Sequence, residues 1–346
     1  MAKPVAWSEV AGWAEDNHAE AWPALQQSCS RLAKRGATWR ELCLEVKLLD
    51  FPDNETARAF FETRFVARPL VTQSGSTEGL ITGYYEPLLQ GCRTRTTAYR
   101  YAVYKRPADL LVVDIGSLYE ELKGKRVRGR LKGRYVVPYF SRKEIDNGNN
   151  PLKGNEIAWV KDPVGLFFLH IQGSGRIRFQ DGSDIAVGYS DQNGHPYYAI
   201  GRRLIEKGAI KEEDVSMQSI REWLRSNPDD AVELLNRNPS YVFFTIRDKE
   251  QSAPIGTLGV PLTPERSIAV DRRVVRLGLP VWLNTTLPSD GDEKEIPYRR
   301  LVFAQDTGGA IHGTVRADLF WGNGSRAEDN AGRMRQPGSL MVLVPK

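Results

Sequence analysis

From about residue 100 to the C-terminus, apolar residues arrive in short runs cut off by Gly, Asp, Asn and Pro. The runs are Tyr135–Phe140, Ile157–Val160, Leu166–Ile171, Ile177–Phe179 and Ile185–Tyr189, then Tyr241–Ile246, Ser267–Val270, Val281–Leu283, Arg300–Ala304 and Leu340–Val344. Such runs have the length of strands, and close-set strands with turn residues between them predict a small barrel or sandwich. The 31 Gly and 20 Pro supply those turns. Helical patches interrupt the pattern at Tyr197–Glu206, Met217–Leu224 and Asp229–Leu235, the last capped by Asn227 or Asp229. A chain of 346 residues exceeds one ordinary domain, so two are expected.

The first 70 residues have a different texture. Ser8, Val10, Trp13, Ala14, Leu25 and Leu32 recur at helical spacing. Thr38-Trp-Arg-Glu41 fits a capping box ahead of Leu42, Val46 and Leu49, and Asn54 fits a cap for a helix carrying Ala57, Phe61 and Phe65. A strand from Leu80 to Leu89, ended by Pro87, then begins the β-rich part. No stretch of about 18 apolar residues occurs, and the N-terminus shows no apolar core of a secretion signal. Cys29, Cys43 and Cys92 are an odd, scattered set, so no disulfide framework is expected. His18, His170, His195 and His312 stand far apart, so neither a metal site nor a cofactor is expected.

Three segments carry candidate chemistry. Lys123, Lys125, Arg126, Arg128, Arg130, Lys132 and Arg134 form a dense basic stretch, which is either a polyanion footprint or a solvated hairpin. No nucleic-acid-binding motif accompanies it. Its seven cations exceed the net charge of +5, so the rest of the chain is slightly acidic. Gly173-Ser-Gly175 lacks the G-x-S-x-G spacing of a nucleophile elbow, and the alternating Arg176–Gln180 that follows reads as a strand, which disfavours a serine hydrolase. The segment from His170 to Gly175 instead fits a close-approach loop or a plain turn. Asp306-Thr-Gly308 has the form of an aspartic protease loop, but that chemistry needs two such loops sharing a proton and the chain has one.

The surroundings of Asp306 change its meaning. The segment continues Gly308-Gly-Ala-Ile-His-Gly313-Thr-Val-Arg-Ala-Asp318-Leu-Phe-Trp-Gly322, with Asp329 beyond and Gly259-Val-Pro-Leu-Thr-Pro-Glu-Arg-Ser-Ile-Ala-Val-Asp271 upstream. Three spaced aspartates in a Gly-rich β context resemble the three-aspartate domain of the membrane-bound lytic murein transglycosylase A family. Gly83-Tyr-Tyr-Glu-Pro87, Tyr101-Ala-Val-Tyr-Lys-Arg-Pro107, His170-Ile-Gln-Gly-Ser-Gly175, Asn193-Gly-His-Pro-Tyr197 and Asn238-Pro-Ser-Tyr-Val-Phe-Phe244 are similar to that family's segments, in order. The resemblance covers about residues 80–345; the helical N-terminal region is only generically similar.

The resemblance implies a mainly β fold with a helical N-terminal region. A double-psi β-barrel domain (residues 1–102 and 246–346) would carry an inserted smaller β-barrel-like domain (103–245), with a groove between them for a glycan strand. It implies cleavage of the β-1,4 bond between N-acetylmuramic acid and N-acetylglucosamine of peptidoglycan, leaving a 1,6-anhydro sugar. The alternative is a non-catalytic glycan-binding module. Asp318 matches the catalytic acid and Asp306 the buried aspartate supporting it. Thr82, Tyr84, Tyr85, Glu86, Gln172, Gly173, Ser174, Gly175, Ala304 and Trp321 match substrate-binding positions, with Tyr84, Tyr85 and Trp321 as sugar-stacking rings. The expected partner is peptidoglycan and not nucleic acid, for a monomer in the periplasm, associated with the outer membrane through a lipid anchor that this sequence does not show. In that setting the basic stretch reads as a contact for acidic peptide stems.

Hydrolytic glycosidases use two carboxyl groups because one must attack or activate water. Here the muramyl C6 hydroxyl is already tethered, so intramolecularity replaces the second group. A lone Asp318 must then be protonated at working pH, which requires a pKa raised above about 3.9.

Overall fold

The computed structural model describes residues 2–123, 127–147, 149–248, 253–288 and 296–346. Lys125 and Arg126 of the basic stretch lie outside the described residues. Helices α1 (Trp22–Leu32), α2 (Ala37–Leu49) and α3 (Asn54–Arg64) lead into strands β1 (Phe65–Pro69) and β2 (Glu78–Glu86). Next come β3 (Leu88–Cys92), β4 (Tyr101–Tyr104), β5 (Leu111–Val113), β6 (Val127–Lys132), β7 (Tyr135–Val137), α4 (Arg142–Asp146) and β8 (Glu156–Val160). They are followed by α5 (Pro163–Gln172), β9 (Ser174–Phe179), β10 (Asp184–Gln192), α6 (Ile200–Glu206), α7 (Met217–Ser226), α8 (Pro228–Asn236) and β11 (Val242–Ile246). The chain ends with β12 (Ser267–Val270), β13 (Pro280–Thr286), β14 (Pro297–Asp306), β15 (Arg316–Asn323), α9 (Ser325–Arg333) and β16 (Arg335–Pro345).

Two compact units result, Met1–Tyr85 with Ala253–Lys346, and Glu86–Ser252. The expected divisions lay at 102/103 and 245/246. The crossings fall elsewhere because β3 and β4 both pair with β8 in the second unit's sheet.

In the first unit, seven described strands form one sheet in the order β1-β16-β13-β14-β12-β15-β2, and β16 also pairs with β2. That last pairing closes six of the strands into a ring and leaves β1 attached outside it. The long β16 makes closure possible: residues 335–339 pair with β2, 338–342 with β13 and 341–345 with β1. Helices α1–α3 lie against the ring through one apolar cluster in which Trp13, Trp22, Phe60, Phe61 and Phe65 meet Trp282, Leu301, Phe303 and Leu343. Most of these side chains are large aromatics, so their burial is a major driving term for docking the helices.

The helical starts differ from the sequence reading. Helix α2 begins after Gly36 (φ 121°) with no side-chain cap, so Thr38 and Glu41 form no capping box. Asp53, not Asn54, caps α3 by accepting from the Thr56 amide at 2.8 Å; the Asn54 side chain instead accepts from the His18 amide. Cys29 and Cys43 form a disulfide between α1 and α2, where none was expected. The bond depends on these two helices packing side by side, which the spacing of cysteines does not reveal.

The second unit is mixed helix and sheet. Its six-stranded sheet runs β11-β10-β9-β3-β8-β4, and a bridge between Lys105 and Phe244 brings its two edges together. Strands β5-β6-β7 make a separate three-stranded sheet. The run Leu166–Ile171, expected as a strand, lies in helix α5. Asp162 caps α5 by accepting from the Val164 amide, Pro163 sits in its first turn, and Gly173 (φ 76°) ends it. Val164 and Leu166–His170 are all buried, so the helix shows no polar stripe to betray its period. The expected strand Tyr135–Phe140 stops at Val137.

Buried Arg142 braces this unit. Its guanidinium donates to the Asn238 and Ser240 carbonyls, meets His170 Nδ1 at 3.0 Å and lies between the Phe167 and Tyr241 rings. Burial, together with this cation, holds His170 well below the usual histidine range.

Candidate active site

The first unit brings Asp306 and Asp318 to neighbouring positions of the ring. Ala269 on β12 is the register partner of Asp306 on parallel β14 and of Asp318 on antiparallel β15. Directly opposed residues share a sheet face, so the two carboxylates flank one small buried side chain. Their backbones are two strand spacings apart, about 10 Å. Strand β2 lies beyond β15 and adds Thr82 and Tyr84, two residues apart and hence on one face.

The two aspartates differ in how fully they are occupied. Asp306 Oδ1 accepts from the Thr257 amide (2.9 Å), the Thr257 hydroxyl (2.9 Å) and the Thr307 amide (2.8 Å). The Tyr84 hydroxyl donates to Asp306 Oδ2 at 3.1 Å. Asp318 Oδ1 accepts from the Thr82 hydroxyl at 2.6 Å, and Oδ2 has no hydrogen-bond partner among the described residues. Asp318 is partly exposed. Both aspartates are partly exposed, but Asp306 is held by four donors, whereas Asp318 is held by one and keeps Oδ2 without a donor among the described residues.

Burial raises the pKa of both aspartates. For Asp318 the charge of Asp306 adds to the rise, while the Thr82 hydrogen bond and the Arg316 cation oppose it. For Asp306 the opposition comes from its Thr257, Thr307 and Tyr84 donors. Burial and the two carboxylates also push Tyr84 well above the usual tyrosine range, so its hydroxyl remains a donor. Arg316 precedes Asp318 by two strand residues, on the same face, and donates to the Leu80 and Ala317 carbonyls.

Asp271, one residue past β12, holds the connection between β14 and β15. It accepts from the Gly313 amide at 3.1 Å and from the Arg273 guanidinium, which keeps its carboxyl well below the usual range. Gly313 has φ 121°, a backbone conformation that favours glycine. Asp329 lies on α9 in an ion pair with Arg333.

Other expected site residues have structural surroundings. Tyr85 is 1% exposed, and its hydroxyl donates to Glu328 at 3.0 Å. Trp321 is 5% exposed, packs on Tyr298, and covers Gly83, where a Cβ would come within 2.6 Å of the indole nitrogen. Ala304 is wholly buried beside Ile268. These side chains, and the Tyr84 ring against Phe320, are packed as core.

Glu86 and Gln172–Gly175 belong to the second unit. Buried Glu86 pairs with Arg247 and hydrogen-bonds Ser174; burial raises its pKa against the pull of Arg247 and Arg176. Gln172 closes α5, Gly173 caps it, and Ser174 and Gly175 open β9, so the segment is a helix end and strand start rather than a loop. At Gly175 a Cβ would meet Leu169 at 2.5 Å and the Pro87 carbonyl at 2.9 Å. The sequence reading assigned no role to Thr257 or Arg316. Thr257 gave one signal, the Gly256-x-x-Gly259 spacing around it, since a Cβ at Gly256 would stand 2.5 Å from the Gln305 carbonyl.

Residues 80–245 match the MltA specific insert domain, and residues 266–344 match the 3D domain. A membrane-bound lytic murein transglycosylase A of Escherichia coli K12 is 35% identical over 267 residues, covering 76% of this chain and 64% of that protein. The chain thus spans less than two thirds of the length of that curated relative. Among solved structures, the lytic transglycosylase LtgG of Burkholderia pseudomallei is 43% identical with a TM-score of 0.65, over 99% of this chain and 95% of that one. E. coli MltA with bound chitohexaose is 27% identical with a TM-score of 0.72, over 95% of this chain and 89% of that one. The chain belongs to the membrane-bound lytic murein transglycosylase A family.

Proposed function

We propose that this protein is a peptidoglycan lytic transglycosylase in which Asp318 is both the general acid and the general base. The observation that carries the reading is the unequal state of the two aspartates. Asp306 accepts four hydrogen bonds, three on Oδ1 and one from Tyr84 on Oδ2, which fix its carboxylate in place. Asp318 keeps Oδ2 free in a setting that favours the protonated form.

A protonated Asp318 would give its proton to the glycosidic oxygen as the bond to the muramyl C1 breaks. Its carboxylate would then take the proton from the C6 hydroxyl as that oxygen closes on C1. The proton returned equals the proton given, and no water enters. One acid suffices because the nucleophile is tethered to the reacting carbon. Asp306, fixed by its donors, would support the proton on Asp318 through its charge. Thr82 would orient the carboxyl group.

The test is mass spectrometry of products from intact sacculi. Muropeptides one water lighter than the hydrolysed sugars are expected. Hydrolysed products would overturn the tethered mechanism, and no release at all would favour the glycan-binding module.

Arg316 offers a pH test. The reaction begins from protonated Asp318, so the rate falls as pH rises through its pKa. The Arg316 cation favours the carboxylate and lowers that pKa. Arg316→Gln should therefore move the alkaline limb of the kcat/KM profile to higher pH, and a shift to lower pH would remove Arg316 from this role.

The remaining readings follow the family. We take the six-stranded ring as a double-psi β-barrel and residues 86–252 as its insert. We place the protein as a monomer in the periplasm, in association with the outer membrane.

A further inference from the structure

We propose that the β6–β7 hairpin is an interfacial docking element for an anionic phospholipid bilayer. Strands β6 and β7 are joined by the turn Gly133-Arg134, with Gly133 at φ 61°. All six residues from Leu131 to Val136 are exposed. Leu131 (62% exposed) pairs with Val136 (52%) on one face, and Lys132 pairs with Tyr135 (76%) on the other. Both faces of the tip thus hold large apolar or aromatic side chains in water. The β5–β6 connection adds exposed Leu118 and Tyr119, and Val127 at the start of β6 is exposed as well.

The cations of this region divide into two sets. Lys123 pairs with Glu120 at 3.3 Å, Arg128 is tied to Asp191 at 3.0 Å, and Arg130 lies over the Phe140 ring at 4.2 Å, so these three are engaged within their own unit. Lys132 and Arg134, at the tip, have no ion-pair partner among the described residues. The tip therefore combines Leu, Val and Tyr with two unengaged cations.

That combination selects the occupant. Nucleic acid or the acidic stems of a cell wall would use the cations and leave Leu131, Tyr135 and Val136 in water. A bilayer interface receives both faces at once: aliphatic groups reach the acyl boundary, Tyr sits at headgroup level, and Lys and Arg meet the anionic charge. Among the described residues, Lys132 and Arg134 leave two unpaired positive charges at this tip, so charge also favours an anionic leaflet.

The experiment is sedimentation of the full chain with phosphatidylcholine vesicles, with and without phosphatidylglycerol. Binding to the anionic vesicles should exceed binding to neutral ones by about tenfold and weaken with salt. Leu131→Ser/Tyr135→Ser/Val136→Ser should lose at least about tenfold on anionic vesicles, with unchanged circular dichroism and melting because all three side chains are exposed. Lys132→Ser/Arg134→Ser should lose the preference for the anionic lipid. Absence of wild-type binding would overturn the proposal. So would a triple variant that binds as well as wild type, which would mark charge-only adsorption. A concentration-dependent dimer abolished by the triple variant, without vesicle binding, would assign the tip to a second copy of the chain instead.

Discussion

Asp318→Asn should reduce the release of anhydromuropeptides from sacculi by about 10²- to 10⁴-fold, the range that a positioned general acid–base group supplies. The substitution keeps the shape of the side chain and an acceptor for the Thr82 hydroxyl, so the fold and glycan binding should persist. What disappears is the exchangeable proton on a carboxyl whose Oδ2 is free. Asp306→Asn gives the contrast. Asp306 is bonded to Thr257, Thr307 and Tyr84, and its charge raises the pKa of Asp318. Its loss should leave measurable cleavage whose alkaline limb lies at lower pH than in the wild type. Anhydro products at the wild-type rate from Asp318→Asn would end the assignment. If Asp306→Asn were the dead variant and Asp318→Asn the active one, the two roles would be exchanged.

How much of this could be read beforehand depends on the range of the interactions involved. Strand β12 was legible to the residue, Ser267–Val270, because a short apolar run sits between charged neighbours. Asp306 and Asp318 were legible as a pair through the family's pattern; what brings them to neighbouring positions, a shared register with Ala269, exists only once β12, β14 and β15 align. Helix α5 carried its start and stop signals, Asp162-Pro163 and Gly173, but burial on every side erased its period. Trp321 illustrates the opposite error. An aromatic residue close to a catalytic motif suggests sugar stacking, yet the missing side chain of Gly83 lets the ring pack inward. A barrel was expected from the strand pattern and the resemblance, but the way the ring closes was out of reach, since it rests on three partners sharing β16.

Arg266→Met should destabilise the first unit by about 3–5 kcal/mol, because it strips one partner from a buried charge pair. Arg266 is 2% exposed and directly precedes β12, the strand between the two aspartates. Its guanidinium forms two hydrogen bonds with Asp16, at 2.7 and 3.0 Å, and reaches Glu20 at 2.8 Å. It also donates to the Asn17 and Leu301 carbonyls. With the cation gone, Asp16, 7% exposed, is left with the Leu301 amide as its remaining hydrogen-bond donor. On that scale Tm should fall by roughly 6–20 °C. Adding Asp16→Leu removes the stranded carboxyl group and should recover about half of the loss. Full recovery is not expected, because the buried Leu301 amide then lacks its acceptor, at a cost of about 1–3 kcal/mol. Asp318 and its partners touch none of these atoms, so the single variant should still cleave sacculi well below its Tm. An unchanged Tm in Arg266→Met would mean that the network contributes no net stability. Activity lost in parallel with an unchanged Tm would move Arg266 from the frame of the ring to the placement of the aspartates.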